Sequence, residues 1–187
     1  MANFSVNQTT DDGTGLTTGT LSYAILQANQ LVGDDTISID TDVRVTGVVK
    51  TLVNSNITID GNGNSISGDV NNNGINDNGD VRPLFILSGT VGISDLTITN
   101  GRAKGGDSGS GGGGAGLGGG LFIYGGNVSL TDVAFSNNAA QGGSGSVLGS
   151  KGISSFSKTV KLVSQVLISS FQPCCDHSTL YSNNRKL

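Results

Sequence analysis

The stretch Asp95-Leu96-Thr97-Ile98-Thr99-Asn100-Gly101-Arg102-Ala103-Lys104-Gly105-Gly106 recurs without a gap 37 residues later as Asp132-Val133-Ala134-Phe135-Ser136-Asn137-Asn138-Ala139-Ala140-Gln141-Gly142-Gly143. A pattern that returns at a constant offset indicates a solenoid, because each unit buries its apolar face only by stacking on its neighbour. Stacked strands lie roughly 4.8 Å apart, so we expect Asn100 to lie over Asn137 and the aligned amides to hydrogen-bond. Ile57–Gly61 is interpreted as an earlier, shorter copy of the same unit.

The composition favours many short strands joined by turns. Glycine occupies 31 of the 187 positions, glutamate is absent, and every acidic residue is aspartate, which favours turns over helices. Short β-branched runs lie between Gly, Asn and Asp clusters, as strands do. The candidate strands after residue 36 are Val43–Val53, Ile57–Ile59, Leu84–Leu87, Val91–Thr99, Leu121–Tyr124 and Val128–Ser136.

One segment near the N-terminus has helical periodicity. Its apolar residues fall at i, i+3, i+4 and i+7, with a threonine before the first turn as N-cap and a glycine beyond the end. Weak alternation in Ala2–Asn7 precedes it, and clear alternation in Thr36–Asp40 follows it. This order predicts a cap over one end of a strand stack. The helix residues are Leu21, Ala24, Ile25 and Ala28, flanked by Thr20 and Gly33.

The sequence therefore predicts an all-β fold, a parallel β-helix, with an N-terminal capping helix. We divide it into a cap (1–35), coils with a glycine-rich loop (36–145) and an atypical tail (146–187). The loop, Gly105–Gly120, holds eleven glycines in sixteen residues, too flexible for a core strand. It lacks the βαβ context of a dinucleotide site and the spacing of a calcium-binding nonapeptide repeat.

The tail differs from everything before it. It is basic, has no glycine after Gly152, and contains the only Cys and His residues of the chain. Its apolar residues between Val160 and Phe171 suit an amphipathic helix or a strand. Two interpretations stay open: a C-terminal cap, which an open solenoid end requires, or a frameshifted or aberrant junction near Gly145. We expect no functional site there.

Charge and apolar patterning exclude several functions. Residues 1–145 contain thirteen Asp against five Lys or Arg, and this acidic body argues against nucleic-acid binding, which needs a basic face. An 18-residue apolar run is absent, so we expect no transmembrane segment. No N-terminal secretory signal is visible. Adjacent Cys174 and Cys175 with His177 lack zinc-site spacing, and a serine triad would depend on that single histidine.

Several motifs in this order and spacing resemble those of a known bacterial group. They are Asp11-Asp12-Gly13, Thr20–Asn29, Asp35-Thr36-Ile37, Ile59–Gly63 and Asp132–Asn138. Together, across roughly residues 2–145, they resemble the start of the large pectin-lyase-like β-helix proteins of cyanobacteria and related bacteria. The resemblance implies a right-handed β-helix in secreted or surface proteins, often adhesin-like, exported by signals at a far C-terminus that this sequence does not include. It implies no single activity.

The loop Asp69–Asp80 is the best candidate for a binding site. It places oxygen side chains at loop positions 1, 3, 5, 9 and 12 and glycine at position 6, a spacing that wraps Ca²⁺ with a backbone carbonyl near position 7. It resembles the calcium loops of thrombospondin type 3 repeats. Two amide ligands and a final Asp instead of Glu predict weak affinity; the alternative is an Asn/Gly turn between strands. The predicted ligands are Asp69, Asn71, Asn73, Ile75, Asp77 and Asp80.

Catalytic candidates are weak. Polysaccharide-cleaving β-helix enzymes use carboxylates and basic residues on one sheet face, and only Asp60, Asp95 and Asp132 suit that description here. Paired carboxylates serve as acid and base when their environments separate their pKa values. Asp95 and Asp132 lie at turn-like positions, which favours solvated turn aspartates. We expect a structural or adhesive segment of an extracellular or cell-surface protein, stacked on further β-helix coils and contacting surface glycans; the alternative is a fragment of a polysaccharide lyase or glycoside hydrolase.

Overall fold

A computed structural model describes residues 1–145 and 166–168 of the chain. Within these residues every strand pairing is parallel, and the strands form a β-solenoid of about four turns with one short helix near the N-terminus. The predicted parallel β-helix is confirmed. The Cys174, Cys175 and His177 positions and nearly all of the tail lie outside the described residues.

The elements follow the coil repeatedly. The helix is α1 (Leu21–Gln30). The strands are β1 (Asn3–Val6), β2 (Thr10–Asp11), β3 (Asp34–Ile39), β4 (Val43–Val45), β5 (Asn56–Asp60), β6 (Ser65–Ser67), β7 (Leu84–Ile86), β8 (Thr90–Ser94), β9 (Thr97–Thr99), β10 (Arg102–Lys104), β11 (Leu121–Ile123), β12 (Asn127–Thr131), β13 (Ala134–Ser136), β14 (Ala139–Gln141) and β15 (Val166–Ile168).

Three parallel sheets form the walls of the described solenoid. The first sheet has the order β1-β3-β5-β8-β12, the second β2-β4-β6-β9-β13 and the third β7-β11-β15, and β10 pairs with β14 beside them. The 37-residue repeat is the length of one coil, because Val91 pairs with Val128 and Ile98 with Phe135. Coil length varies elsewhere: Asp34 of β3 pairs with Asn56 of β5, only 22 residues on.

Alternate residues of each strand point into the solenoid and form one core. Inward Ile37, Ile59 and Ile98 are fully buried, and their strand neighbours face outward. This period-2 burial is the reason that short β-branched runs are sufficient to build each wall.

The predicted helix is confirmed, and its predicted apolar residues are the ones that are buried. Thr20 caps it by accepting a hydrogen bond from the Tyr23 backbone N–H at 3.3 Å, and its apolar stripe is buried against β1 and β3. The buried carboxylate of Asp11 fixes the first turn by accepting from Ser22 N and Oγ at 2.6 and 2.8 Å. The helix thereby covers the N-terminal end of the core.

Two predicted strands were too long. Val91–Thr99 divides into β8 and β9, and Val128–Ser136 into β12 and β13. The breaks occur at Asp95 (φ 50°) and Asp132 (φ 54°), because a left-handed residue turns the chain from one sheet into the next. The predicted strand Val43–Val53 likewise ends at Val45, and Val53 returns only as an isolated bridge to Ile86.

The interpretation of Ile57–Gly61 as an earlier copy of the unit that begins at Asp95 is wrong, because this segment pairs with the strand before that unit. Ile59 pairs with Ile93 in the first sheet, whereas it is Ile66 that stacks under Ile98 in the second sheet. The Ile-x-Ile pattern recurs on every wall of the coil, so local alternation alone does not distinguish one wall from another.

The C-terminal end of the solenoid differs from its N-terminal end. Val128, Val133 and Phe135 of the last described coil are only partly buried, and Leu130 is 38 % exposed, whereas its partner Ile93 is 2 % exposed. In the same coil, β15 pairs with β11 in the third sheet. The last described coil therefore contributes a strand to each of the three sheets.

Candidate functional site

The Asp69–Asp80 loop leaves the second sheet after β6 and returns to the third sheet at β7. Its two terminal carboxylates are buried, Asp69 with 3 % and Asp80 with 8 % of its surface exposed. Ile75, in contrast, is 62 % exposed, so its side chain lies outside the loop and only its carbonyl could serve a ligand. The loop is thus a surface excursion with two carboxylates at its base.

Backbone N–H groups of the loop itself satisfy both buried carboxylates. Asp69 accepts from Asn73 N at 3.2 Å and from Gly74 N at 2.7 Å. Asp80 accepts from Val70 N at 3.1 Å and from Asp77 N at 2.7 Å. Left-handed residues within the loop allow the chain to wrap around these carboxylates: Asn72 (φ 58°), Gly74 (φ 74°) and Gly79 (φ 115°).

Asp77 lies at the centre of the side-chain contacts. Its Oδ2 accepts from the amides of Asn71 at 3.2 Å and Asn73 at 2.8 Å, while its Oδ1 is buried without a hydrogen-bond partner. The side-chain oxygen Oδ1 of Asn73 accepts from Ile75 N at 2.8 Å. Hydrogen bonds therefore connect all six predicted ligand positions, Ile75 through its backbone N–H and the other five through their side chains.

These donors fit a hard cation in part. A carboxylate has about four lone-pair sites, so Asp69 and Asp80 keep acceptor capacity beyond their two backbone bonds, and Asp77 Oδ1 is uncompensated. The Asn71 and Asn73 amides, however, point N–H groups at Asp77, and both would have to rotate to present oxygen. Among the described residues no group of three or more Asp, Glu, His or Cys side chains stands ready-made as a metal cluster.

The loop also braces neighbouring coils, which the sequence pattern did not predict. Arg44 lies on β4, in the coil before the loop, and donates to Val70 O at 2.6 Å. Asn76 donates to Gly101 O at 2.9 Å and to Asn137 O at 3.0 Å in the following coils. Contacts between residues as many as 61 positions apart leave no local signal in the sequence.

Arg102 of β10 completes the brace. Its guanidinium donates to Asn76 Oδ1 at 3.0 Å, to Asn78 Oδ1 at 3.1 Å and to Oε1 of Gln141 in β14. The Arg102 side chain thus joins the loop, which follows β6, to β10 and to β14 in the next two coils. The Asp69–Asp80 loop, Arg44 and Arg102 form a continuous set of polar contacts along one side of the solenoid, which we call the polar strap.

A shallow groove of about 890 Å³ runs beside the strap on the outer face of the second sheet. Its floor consists of hydroxyl-bearing side chains from successive coils with one arginine among them, and the N-terminal half of the loop is one wall. Representative lining residues are Thr10, Arg44, Ser67, Thr99, Asn72 and Asp42. Such a surface offers many hydrogen-bonding groups to a polar ligand lying across the coils.

The three catalytic candidates lie at corners of the coil. Asp60 ends β5 and accepts from Asn62 N at 3.1 Å, as a turn residue does. Asp95 and Asp132 are exposed and occupy the same left-handed corner of adjacent coils, as the pairing of Ser94 with Thr131 requires. Turn formation accounts for all three positions without a catalytic role.

A second side-chain cluster holds the glycine-rich loop on the third sheet. Outward-facing Phe85 and Phe122 stack edge to face with centroids 4.9 Å apart. The Arg82 guanidinium lies 5.4 and 5.1 Å from the two ring centroids and donates to Gly118 O at 2.7 Å and Leu117 O at 2.9 Å. Burial lowers the pKa of Arg82 from its ordinary value. This arginine is a structural clamp rather than a ligand site.

Comparison of the chain with known protein families, with curated proteins and with solved structures finds no match in any of the three. Over the described ranges, no helix has the length and apolar character needed to cross a membrane.

Proposed function

We propose that this chain is a structural and adhesive segment of an extracellular or cell-surface β-helix protein, in which the Asp69–Asp80 loop binds calcium and stiffens the stack. The observation that carries the proposal is the polar strap: one loop contacts Arg44 before it and Arg102 and Asn137 after it. In a solenoid each coil otherwise contacts only its immediate neighbours. Ordering a loop that contacts several coils therefore stabilises all of them together.

The asymmetry of the two ends supports a place within a longer stack. Helix α1 covers the N-terminal end, whereas the apolar residues of β12 and β13 are partly exposed. Apolar surface of this kind is a docking face for a further coil. The resemblance of the Thr20–Asn29 and Asp132–Asn138 motifs to large pectin-lyase-like proteins agrees with such an arrangement.

Calcium is favoured over other cations because every available ligand is a carboxylate, amide or carbonyl oxygen. Binding would place charge beside Asp77 Oδ1, the buried acceptor without a partner, and would fix the loop that the strap depends on. Its affinity should be that of an extracellular module, with Kd of about 0.1–1 mM.

The test is calorimetry and thermal unfolding of the 187-residue chain with CaCl₂, with MgCl₂ as comparison. At 10 mM calcium and this Kd, we expect stabilisation of about 1.4–2.7 kcal/mol. Asp77→Asn should abolish the calcium heat. Asp95→Asn is the matched control, since it removes one exposed carboxylate at a left-handed corner that Asn tolerates. Absence of both heat and stabilisation in the unsubstituted chain would refute the calcium site.

For the adhesive role, the groove on the second sheet is the surface we assign to glycans. Its hydroxyl and amide groups suit neutral polyhydroxylated polymers, whereas Asp42 and Asp69 in its lining disfavour acidic ones. Titration of the chain with acidic and neutral polysaccharides should give saturable binding of the neutral class, weakened by Ser67→Trp, which fills the groove floor. Appearance of new reducing ends or unsaturated products in the same samples would favour the enzymatic alternative instead.

A further inference from the structure

Asparagine is followed directly by glycine four times in the chain, at Asn62, Asn73, Asn78 and Asn100. In this dipeptide the glycine backbone nitrogen can attack the side-chain carbon Cγ of the asparagine, because glycine has no Cβ to obstruct the approach. Asparagine is thermolabile in proteins for this reason. A hydrogen bond from the glycine N–H opposes the attack, since it holds the nitrogen away from Cγ. The four dipeptides are alike in sequence, so their hydrogen bonds in the folded chain distinguish them.

Three of the four glycines have their N–H in a short hydrogen bond. The side chain of each preceding asparagine is also hydrogen-bonded. Attack at these positions therefore requires contacts of the folded chain to break first. The three glycine bonds join Gly63 N to Asp95 O at 2.8 Å, Gly74 N to Asp69 Oδ2 at 2.7 Å and Gly101 N to Asn138 Oδ1 at 2.7 Å.

Gly79 differs from the other three glycines. Its N–H has no hydrogen-bond partner among the residues that the structure describes, and both Asn78 and Gly79 are exposed. The pair lies at the centre of a turn whose closing bond, from Asp80 N to Asp77 O, is long at 3.4 Å. Apart from its chain neighbours, no described residue lies within 4 Å of the position that a Cβ on Gly79 would occupy. The peptide plane between Asn78 and Gly79 therefore has room to rotate towards Cγ.

Arg102 lies against the oxygen that gains charge in this attack. Its guanidinium donates to Asn78 Oδ1 at 3.1 Å, and its bonds to Asn76 and Gln141 hold it there. Attack at Cγ moves negative charge onto Oδ1. A cationic donor already positioned on that oxygen stabilises the developing charge.

We propose that Asn78–Gly79 is a site of spontaneous deamidation and that Arg102 promotes the reaction. The Gly79 nitrogen loses its proton and bonds to Asn78 Cγ, the Cγ–Nδ2 bond breaks, and ammonia leaves with that proton. Water then adds to the succinimide ring and breaks one of its two C–N bonds, which leaves aspartate or isoaspartate at position 78. Either product adds one negative charge beside Arg102, within the polar strap.

Incubation of the folded 187-residue chain in mildly alkaline buffer tests the site, with peptide mass spectrometry locating each converted asparagine. We expect Asn78 to convert at least about fivefold faster than the other three, the factor that corresponds to one ordinary hydrogen bond. In urea, which removes these bonds, the four rates should be alike. Equal rates in the folded chain would overturn the proposal, and so would an intact Asn78 in the folded chain under conditions in which the unfolded chain reacts.

Arg102→Gln tests the promotion by the guanidinium. Loss of the arginine loosens the loop, which by itself would speed the reaction, whereas loss of charge stabilisation slows it. We expect the rate at Asn78 to fall at least about threefold in the folded chain and to stay unchanged in urea. Arg44→Gln is the matched control, because Arg44 also contacts the loop, at Val70 O, but not Asn78; it should not slow the reaction. An unchanged or faster rate in Arg102→Gln would overturn the role of Arg102.

Discussion

Asparagine and aspartate turn the corners of this coil in backbone conformations that most residues avoid. Asn100 and Asn137 have φ of 51° and 49°, and Asp95 and Asp132 have φ of 50° and 54°. Short polar side chains tolerate the left-handed region, which costs other L-residues roughly 1–2 kcal/mol. The Asn137 side-chain amide also donates to Oδ1 of Asn100 in the preceding coil, which confirms the predicted ladder. One residue type therefore supplies both the turn and the contact between coils.

Asn137→Ala should destabilise the chain by about 2 kcal/mol, the sum of one lost hydrogen bond and left-handed strain on alanine. Asn137→Gly should cost about 1 kcal/mol, because glycine carries no such strain. Urea denaturation of both variants separates the two contributions. Ser136→Ala is the control: it removes the 2.9 Å bond to Thr99 Oγ1 at an ordinary strand position. Equal losses for Ala and Gly would contradict the strain argument.

At the scale of elements, the end of the solenoid depends on how α1 is attached to the first coil. Asp11 of β2 is 1 % exposed and accepts from Gly13 N at 2.8 Å as well as from the Ser22 backbone and hydroxyl. At the other end of the helix, Asn29 donates to Leu52 O at 2.7 Å and accepts from Asn54 N at 3.1 Å. The cap is thus held at both ends by polar side chains as well as by its apolar stripe.

Asp11→Ala should destabilise the protein by about 3 kcal/mol, since hydrogen bonds to a charged group contribute about 1.5–3 kcal/mol and buried donors are left unpaired. Thermal unfolding followed by circular dichroism would measure the loss. Asp12→Ala is the neighbouring control: the Asp12 carboxylate accepts from the Thr14 backbone N–H and hydroxyl at an exposed turn. A similar loss for both substitutions would show that Asp11 does not anchor the helix.

Across the whole molecule, side chains at equivalent core positions are buried to different extents in different coils. Ile93 and Leu130 are register partners in the first sheet, yet one is 2 % and the other 38 % exposed. The contribution of a core side chain to the free energy of unfolding depends on how much of it the coils on both sides bury. This contribution therefore falls towards an open end of the solenoid. The last described coil therefore depends on what stacks beyond it.

Ile93→Ala should cost about 3–4 kcal/mol, as for large-to-small changes in a closed core, whereas Leu130→Ala should cost less than about 2 kcal/mol because much of its side chain is already in solvent. Equilibrium unfolding of the 187-residue chain measures both. If the Leu130 variant lost as much stability as the Ile93 variant, the C-terminal end would be covered in solution.

The helix, the parallel stack, the coil length of 37 residues and the Asn100–Asn137 ladder were all predictable from the sequence. Each of these features repeats a local pattern of period two, three to four, or one coil. The residues of the Asp69–Asp80 loop could be proposed as cation ligands for the same reason, since their spacing is contained in twelve consecutive positions. Whether they bind calcium stays a prediction.

The folded chain alone shows which wall of the solenoid each strand joins, where Arg44, Asn76 and Arg102 brace the loop, and that Asp35 accepts from the Ala2 nitrogen. These contacts join residues 26 to 61 positions apart across coils or 33 positions apart on adjacent strands. Coil length changes along the chain, so register across coils does not follow from alternation within a strand. Local patterns of the sequence establish a stack of turns held by Asn and Asp, whereas the contacts between coils establish which of the described polar groups are buried without partners.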